Sequence, residues 1–333
     1  MRHFISMLDY EPDELAQWIA LAARTKAGDD SEVRRMLSGR VLVAVFFNPS
    51  LRTRVSFELA MKRFGGEAVV LNVGRDAWKI ETRDGVVMDG EASEHVREAA
   101  AVLSRYGDLL AVRSFAKLRD AEEDARDEVI RSFARFAAVP VINMESAMEH
   151  PCQGLADWLT MREQLGRTHG RRFVLRWAPH VKALPRAVPH SAVLAAAAAG
   201  MHVTICHPPG YGLHPGILDR AAGWCAAAGA TLDVTHEPQP ACREADVVYV
   251  KSWGSPDLYG DPAAQQADFQ RYRDWLVTRD DLGEQTRLMH CLPVRRNVVI
   301  ADEALDDPRC VIADQAANRL WVQAAAMAKV SEK

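Results

Sequence analysis

The chain has 333 residues, of which 48% are hydrophobic, and its formal net charge at pH 7 is -4. This length and composition predict a globular protein of about two domains. No apolar stretch is long enough to span a bilayer, so we expect no membrane partner. The negative net charge and dispersed arginines argue against nucleic acid as a partner, because binding a phosphate backbone requires a basic surface.

Six cysteines, at positions 152, 206, 225, 242, 291 and 310, lack the close paired spacing of zinc or redox motifs. The N-terminus lacks the apolar core of a signal peptide. We therefore expect reduced thiols and a cytoplasmic location. Neither a metal-ligand cluster nor a nucleotide-binding glycine motif is visible, so we expect no metal and no cofactor.

Hydrophobic periodicity predicts helices and strands that alternate in two halves. The first half contains helix 11–25, strand 41–47, helix 52–64, strand 68–73, helix 95–106, strand 109–112, helix 124–136 and strand 139–144. The second contains helix 151–165, strand 173–177, helix 191–199, strand 202–206, helix 215–228, strands 247–250 and 287–291, and helix 315–329. Right-handed crossovers then predict an α/β fold of two doubly wound parallel sheets with a cleft between them.

A polar run, Ser50-Leu51-Arg52-Thr53-Arg54, lies where the first strand gives way to a helix. Hydroxyl and guanidinium groups at a helix N-terminus favour phosphate, because the free N–H groups and the helix dipole attract anions. The alternative is a simple N-cap by Ser50 with solvated arginines.

Further polar groups follow other predicted strands: Arg113, the run His150-Pro151-Cys152-Gln153 and the run His290-Cys291-Leu292-Pro293. In an open parallel sheet, ligands bind beyond the carboxyl ends of the strands, so these groups are expected to converge. By itself, His150 could equally be a residue that precedes a proline at the first position of a helix. Segment 178–189 carries three prolines with His180, Lys182 and Arg186, and a loop of that length is often functional.

Three of these runs form ordered motifs: Ser-x-Arg-Thr-Arg at 50–54, His-Pro-x-Gln at 150–153 and His-Cys-Leu-Pro at 290–293. In this order and at these separations, they resemble the motifs of the carbamoyltransferases, the family of aspartate and ornithine transcarbamylases. The resemblance covers nearly the whole chain. It implies a carbamoyl-phosphate-binding domain at 1–149, a second-substrate domain at 150–314 and a C-terminal helix at 315–333 that returns to the first domain.

The resemblance also implies site residues. Carbamoyl phosphate would be bound by Ser50, Leu51, Arg52, Thr53, Trp78, Arg113, His150, Gln153, Cys291, Leu292 and Arg319. The catalytic residues would be Arg113, which spans the phosphate and carbonyl oxygens, His150, which donates to the developing oxyanion, and Thr53 and Cys291. Gln153 would bind the carbamoyl NH2, and the Cys291-Leu292 backbone would receive the NH2 and the incoming amine. Direct transfer needs no covalent intermediate, so the Cys291 thiol is not expected to be a nucleophile.

Trp78 lies in a polar stretch after a strand. In relatives with this pattern the loop reaches across a subunit interface into the neighbour's site, which implies a homotrimer with shared active sites. The alternative is an ordinary packing or interface tryptophan.

The run Tyr249-Val250-Lys251-Ser252-Trp253-Gly254 stands where ornithine transcarbamylases carry the motif that holds a free amino acid. A lysine there suits an acceptor whose α-amine has lost its charge, which predicts an N-acylated ornithine. The alternative is a strand-end lysine with a solvated head.

Six runs carry a fuller resemblance: Phe46-Phe47-Asn48, Ala77-Trp78-Lys79, Val87-Met88-Asp89-Gly90, Asn143-Met144-Glu145, Trp177-Ala178-Pro179-His180 and Tyr249-Val250-Lys251-Ser252-Trp253. They are similar to those of the N-acetylornithine and N-succinylornithine carbamoyltransferases of arginine biosynthesis. This resemblance implies that the acylated ornithine is bound by Glu145, His180, Lys182, Lys251, Leu292 and Ser93, and that the proline-rich loop is threaded into a knot. Ser93 stands where acetyl-type enzymes have a glutamate and succinyl-type enzymes a proline, and Val298 and Val299 replace an acetyl-type lysine. Losing the glutamate removes repulsion of a succinyl carboxylate, so N-succinylornithine is slightly favoured.

Two alternatives remain open. A carbamoyltransferase of secondary metabolism could act on another amine, since Ser93 and the acyl-facing loop are where a new acceptor would fit. A catalytically silent relative that binds phosphate metabolites would keep the fold but lose a polar group, and none is missing here among Arg52, Arg54, Arg113, His150 and Gln153.

Overall fold

The structure, a computed structural model, describes residues 2–332. The α-helices are α1 Pro12–Lys26, α2 Ser31–Leu37, α3 Arg52–Arg63, α4 Val96–Tyr106, α5 Ala121–Ala125, α6 Glu128–Phe136, α7 Pro151–Leu165, α8 Ala187–Ala198, α9 Pro215–Ala227, α10 Pro238–Arg243, α11 Pro262–Arg271, α12 Asp302–Leu305 and α13 Ile312–Val330. The strands are β1 Val41–Phe46, β2 Glu67–Asn72, β3 Ile80–Glu81, β4 Glu94–His95, β5 Leu109–Arg113, β6 Val141–Glu145, β7 Arg172–Trp177, β8 His202–Cys206, β9 Leu232–Thr235, β10 Val247–Lys251 and β11 Arg287–Met289. None of the described helices has the length and apolarity needed to cross a bilayer.

The chain divides into two compact units. Unit 1 takes in the chain up to Ala116, then Asp124–Cys152, and the chain from Arg319 onward. Unit 2 comprises Lys117–Glu123 and Gln153–Asn318. The strands of each unit pair in parallel, which confirms the predicted α/β class with parallel sheets. The threading of the proline-rich loop into a knot stays a prediction.

Unit 1 is built on a four-stranded sheet in the order β2-β1-β5-β6. Its inner strands β1 and β5 are almost wholly buried and apolar, as expected for a parallel sheet covered on both faces. The chain adds β2 on one side of β1 and then β5 and β6 on the other. The strand order therefore reverses beside β1, and a ligand site is expected where β1 and β5 end.

Unit 2 is built on a five-stranded sheet in the order β11-β10-β7-β8-β9. The chain leaves β7 toward β8 and β9, and then returns to lay β10 and β11 on the other side. The order reverses between β7 and β10, which pair from Phe173 opposite Val247 to Trp177 opposite Lys251. This pairing places the residues after Trp177 beside those after Lys251.

The structure differs from the predicted elements in three places. The predicted helix 124–136 is two helices, because Asp127 adopts a left-handed φ of +50° and interrupts it. Helix α8 begins at Ala187, so the proline-rich segment is shorter than expected; Pro189 fits because the first turn needs no N–H from it. Periodicity missed the short elements α2, β3, β4, β9, α10, α11 and α12, most of which expose polar side chains.

Candidate active site

A buried cationic pocket lies at the carboxyl ends of β1 and β5 in unit 1. Thr53, in the first turn of α3, is buried, and its Oγ1 accepts hydrogen bonds from Arg319 Nη2 at 2.8 Å and Arg113 Nη1 at 3.3 Å. Arg113 ends β5 and Arg319 lies in α13, and both are nearly inaccessible to solvent. Residues from distant parts of the sequence therefore meet around one hydroxyl group.

Like charges crowd this pocket. Burial, followed by the nearby charge of Arg113, lowers the pKa of Arg319 to about 10. Arg113 Nη1 pairs with Glu145 Oε2, at the end of β6, at 2.5 Å. The Nε atoms of Arg113 and Arg319 are buried without a hydrogen-bond partner among the described residues. Glu145 offsets only one of the two buried charges of Arg113 and Arg319, and the positive charge that remains favours an anionic ligand.

His150 lies in the same pocket, immediately before α7. Its ring is 3% exposed, and its Nε2 is 3.7 Å from Glu145 Oε2. Burial, and then the charges of Arg319, Arg113 and Arg52, lower the pKa of His150 well below its usual range. The imidazole is therefore neutral at pH 7 and can donate a hydrogen bond without carrying a charge.

The run 50–54 at the start of α3 has features of both interpretations of the sequence, a phosphate site and a simple N-cap. Ser50 Oγ accepts a hydrogen bond from the Thr53 N–H at 3.2 Å, as the N-cap alternative predicts. Leu51 is 76% exposed, whereas Arg52 is partly buried and close enough to lower the pKa of His150. Arg54 lies outside the pocket, since its Nε pairs with Glu58 at 2.8 Å along the helix surface.

A buried carboxylate, Glu149, holds the segment that carries His150. Glu149 is 3% exposed, and it accepts hydrogen bonds from Ser6 Oγ and from the Met7 N–H, the latter at 3.1 Å. Its carbonyl oxygen accepts from the Ser146 N–H at 2.8 Å. Burial raises the pKa of Glu149 to about 8, against its hydrogen bonds, which lower it. Sequence patterns did not reveal this anchor.

In unit 2, Gln153 belongs to a buried hydrogen-bond network. Asp157 Oδ1 accepts from Gln153 Nε2 at 2.8 Å and from Gln315 Nε2 at 2.7 Å, and Gln315 Oε1 accepts from the His290 N–H at 2.9 Å. Asp157 thus fixes the orientation of the Gln153 amide. The Gln153 Oε1 atom is buried and has no hydrogen-bond partner among the described residues. It can accept a hydrogen bond from an NH2 group of a ligand.

The network also supports the turn His290-Cys291-Leu292-Pro293. Leu292 has a left-handed φ of +58°, a conformation that costs free energy for a leucine, and its N–H donates to His290 Nδ1 at 2.9 Å. Backbone strain of this kind is common where carbonyl groups must face a ligand. Cys291 is buried, like most of the six free cysteines.

Cationic groups cluster after β7 and β10. Lys251 is 8% exposed, and its Nζ donates to the Ser252 carbonyl at 3.2 Å. His180 Nδ1 lies 2.9 Å from the Lys182 carbonyl. Burial, helped by the charges of Lys251, Arg295 and Lys182, lowers the pKa of His180 to about 4, against the hydrogen bond to the Lys182 carbonyl, which raises it. Arg295 was missed by the sequence analysis, although it closely follows the His-Cys-Leu-Pro motif.

Trp78 and Ser93 lie together on the surface of unit 1, away from the buried pocket. Trp78 is 61% exposed, and its indole Nε1 donates to Glu94 Oε2 at 2.7 Å. Both residues line an open cavity of about 750 Å³. An exposed tryptophan does not fit the packing alternative within this subunit, and it suits contact with a partner.

These groups can support acyl transfer to an amine. Unit 1 offers buried cations for an anionic leaving group and a neutral imidazole donor, and unit 2 offers an amide acceptor, strained backbone carbonyls and a second cationic cluster. Such preorganised groups stabilise charge that develops in a transition state. Among residues 2–332, no group of three or more His, Cys, Asp and Glu side chains is placed to hold a metal ion.

Both halves of the chain match known proteins in sequence. Residues 2–163 match the model of the aspartate/ornithine carbamoyltransferase carbamoyl-P binding domain, and residues 185–330 match that of the Asp/Orn binding domain. An N-acetylornithine carbamoyltransferase of Xanthomonas campestris pv. campestris is 43% identical over 98% of this chain and 97% of its own length. An N-succinylornithine carbamoyltransferase of Bacteroides thetaiotaomicron is 35% identical over 84% of both chains.

A solved structure is similar along nearly the whole chain. It is a glutamate-to-serine variant of an N-acetyl-L-ornithine transcarbamylase complexed with carbamyl phosphate and N-succinyl-L-norvaline. It has a TM-score of 0.95 and 43% identity, and the match covers 99% of this chain and 100% of the other. The sequence matches over both halves and the shared architecture show that the chain belongs to the aspartate/ornithine carbamoyltransferase family.

Proposed function

We propose that this protein transfers the carbamoyl group of carbamoyl phosphate to the side-chain amine of an N-acylated L-ornithine. The products would be an N-acylcitrulline and phosphate, in arginine biosynthesis. The observation that carries the proposal is the buried excess of positive charge around Thr53, formed by Arg113 and Arg319 with Arg52 nearby. A phosphate dianion neutralises such a pocket, and its oxygens satisfy the guanidinium N–H groups.

Unit 1 would hold the phosphate and polarise the carbonyl. Thr53, Arg52 and Arg319 bind phosphate oxygens, together with Ser50 and the Leu51 backbone. Arg113 reaches the phosphate and the carbonyl oxygen, since its planar fork can bridge two acceptors. His150, neutral because of its surroundings, donates to the oxyanion that forms when the amine attacks.

Unit 2 would orient the carbamoyl group and the amine. The partnerless Gln153 Oε1 accepts from the carbamoyl NH2, and the Cys291 and Leu292 carbonyls accept from the NH2 and the incoming amine. The neutral amine nitrogen adds to the carbonyl carbon and forms the C–N bond and the oxyanion. The oxyanion then collapses as the C–O bond to phosphate breaks, and the proton lost by the nitrogen passes to the departing phosphate. Positioning of the reactants accounts for much of the acceleration.

The acceptor would carry an acylated α-amine. Buried Lys251 and exposed Lys182 provide positive charge for the α-carboxylate, whose charge is no longer balanced by an ammonium group, and the neutral His180 ring lies beside them. Glu145, which here pairs with Arg113, would contact the ornithine chain after substrate rearranges that ion pair.

Among acyl groups, succinyl is favoured over acetyl. Position 93 in the cavity is a serine where acetyl-type enzymes have a glutamate, and a glutamate-to-serine variant of an acetyl-type relative was solved with N-succinyl-L-norvaline. Relatives of both acyl types match the chain, so the preference rests on Ser93.

The active unit would be a homotrimer with shared sites. Leu51, Val55 and Leu59 recur every four residues along α3 and are all exposed, which forms an apolar stripe on the surface of unit 1. Such a stripe marks a protein interface, and Trp78 would reach across it into the neighbour's site.

Phosphate release should be measured with carbamoyl phosphate and N-succinylornithine, N-acetylornithine, ornithine, putrescine or aspartate. We expect the highest kcat/KM with N-succinylornithine, followed by N-acetylornithine. Ser93→Glu should lower the ratio of kcat/KM for N-succinylornithine to kcat/KM for N-acetylornithine, because the new carboxylate repels the succinyl group. Turnover confined to putrescine or another amine would reject the proposed acceptor, and absence of turnover with every amine would reject carbamoyl transfer.

A further inference from the structure

Two short strands fix Lys79 beside Ser93. Strands β3 and β4 pair in parallel with Ile80 opposite Glu94, so the preceding residues of the two strands, Lys79 and Ser93, come together. The Ser93 N–H donates to the Lys79 carbonyl at 3.1 Å, which anchors this register. Residues opposite each other in paired strands project to the same face of a sheet. Both side chains line the surface cavity of unit 1.

The cavity presents cations whose partners are easily exchanged. Its lining consists of Gly74, Arg75, Asp76, Ala77, Trp78, Lys79, Glu91 and Ser93. Lys79 Nζ pairs with Glu91, and the side chains are 57% and 81% exposed respectively. Asp76 is already engaged, since its carboxylate accepts from the Asn72 N–H and from Asn72 Nδ2 at 2.8 Å. Arg75 also lines the cavity, but Lys79 is the cation that the pairing of β3 with β4 places next to Ser93.

We propose that Lys79 determines acceptor specificity by binding the distal carboxylate of a dicarboxylic N-acyl group, such as succinyl. The inference rests on the proposed function, and it places the acyl end of the acceptor in this cavity of a neighbouring subunit. Glu91 forms an ion pair with Lys79 in the absence of substrate, and the acyl carboxylate replaces Glu91 in that pair when the acceptor binds.

The exchange is physically reasonable because exposed ion pairs contribute little. Pairs between solvated lysine and glutamate side chains stabilise by about 0–1 kcal/mol, so displacing Glu91 costs little. A substrate carboxylate enclosed between subunits would lose water, and a nearby ammonium group becomes more favourable there. An acetyl group has no carboxylate and gains nothing from Lys79. The residue therefore discriminates between acyl groups without contributing to the chemical step.

The test compares kcat/KM for N-succinylornithine and N-acetylornithine in variants of the full-length protein. Lys79→Met should lower the succinyl-to-acetyl ratio by about tenfold, Lys79→Arg should retain most of it, and Glu91→Gln should raise it a few fold by removing the competing carboxylate. Lys26→Met, which removes an exposed lysine at the end of α1, is the matched control and should leave the ratio unchanged.

Loss of stability alone would lower both activities together, whereas the inference requires opposite shifts of the ratio in Lys79→Met and Glu91→Gln. If the parent protein uses both substrates but Lys79→Met leaves their ratio unchanged, the role of Lys79 is wrong and the proposed function stands. If the parent uses neither substrate, the proposed function itself fails.

Discussion

Glu149 gives the most quantitative prediction, because its burial couples stability to pH. The native carboxyl group keeps its proton up to a pKa of about 8, whereas an unfolded chain releases it near 4.5. Between these values unfolding releases a proton, so a rise in pH favours the unfolded state. The raised pKa of Glu149 should therefore make the stability of the parent protein fall as the pH rises from about 5 to 8.

The separation of the two pKa values corresponds to roughly 4–5 kcal/mol. Glu149→Gln removes the titrating group and can still accept the Met7 N–H through its amide oxygen. The gain in stability of the variant over the parent should thus be near its minimum at pH 5 and should grow toward pH 8. At about 2–4 °C of Tm per kcal/mol, the change is on the order of ten degrees.

Thermal melts of parent and variant at pH 5, 6, 7 and 8 would measure this difference. Glu303→Gln, at an exposed position of α12, is the control and should show no such trend. A Tm difference between Glu149→Gln and parent that stays constant from pH 5 to pH 8 would refute the reasoning. Because Glu149 holds the segment before His150, carbamoyl-transfer activity should be followed in the same samples.

Two further predictions concern the shared site and the acceptor. Trp78→Ala and Arg113→Ala should each be nearly inactive alone, and mixing them under conditions that exchange subunits should restore activity at about one quarter of the sites, because such sites receive both intact residues. No recovery in exchanged oligomers would argue against sharing. Lys251→Met should raise KM for the N-acylated ornithine by about tenfold or more while leaving the KM for carbamoyl phosphate nearly unchanged, which initial-rate kinetics would show. An equal rise of both values would contradict the assigned role of Lys251.

Local sequence patterns predicted much of the fold. Buried parallel strands read as continuous apolar runs, which is why β1, β5 and β10 were found within a residue or so of their bounds. The short edge strand β9 carries exposed polar side chains and gives no such signal. Asp127 could not be recognised as a helix break, because the left-handed backbone there accompanies tertiary hydrogen bonds to Ser146 and Ala147.

The site was only partly predictable for a similar reason. Motifs identified the residues that begin helices or end strands, such as Thr53 and Arg113. Their partners depend on contacts between distant segments: Arg319 reaches Thr53 across 266 residues of sequence, and Gln315 reaches Asp157 across 158. No local pattern encodes these contacts. The pairing of Arg113 with Glu145 likewise depends on the register of neighbouring strands.

The position of Arg319 in α13 has a consequence for biosynthesis of the protein. Synthesis must proceed 266 residues beyond Thr53 before Arg319 is added, so the pocket around Thr53 cannot be completed until that part of the chain has emerged from the ribosome. Products of premature termination would lack it even if their earlier segments had folded.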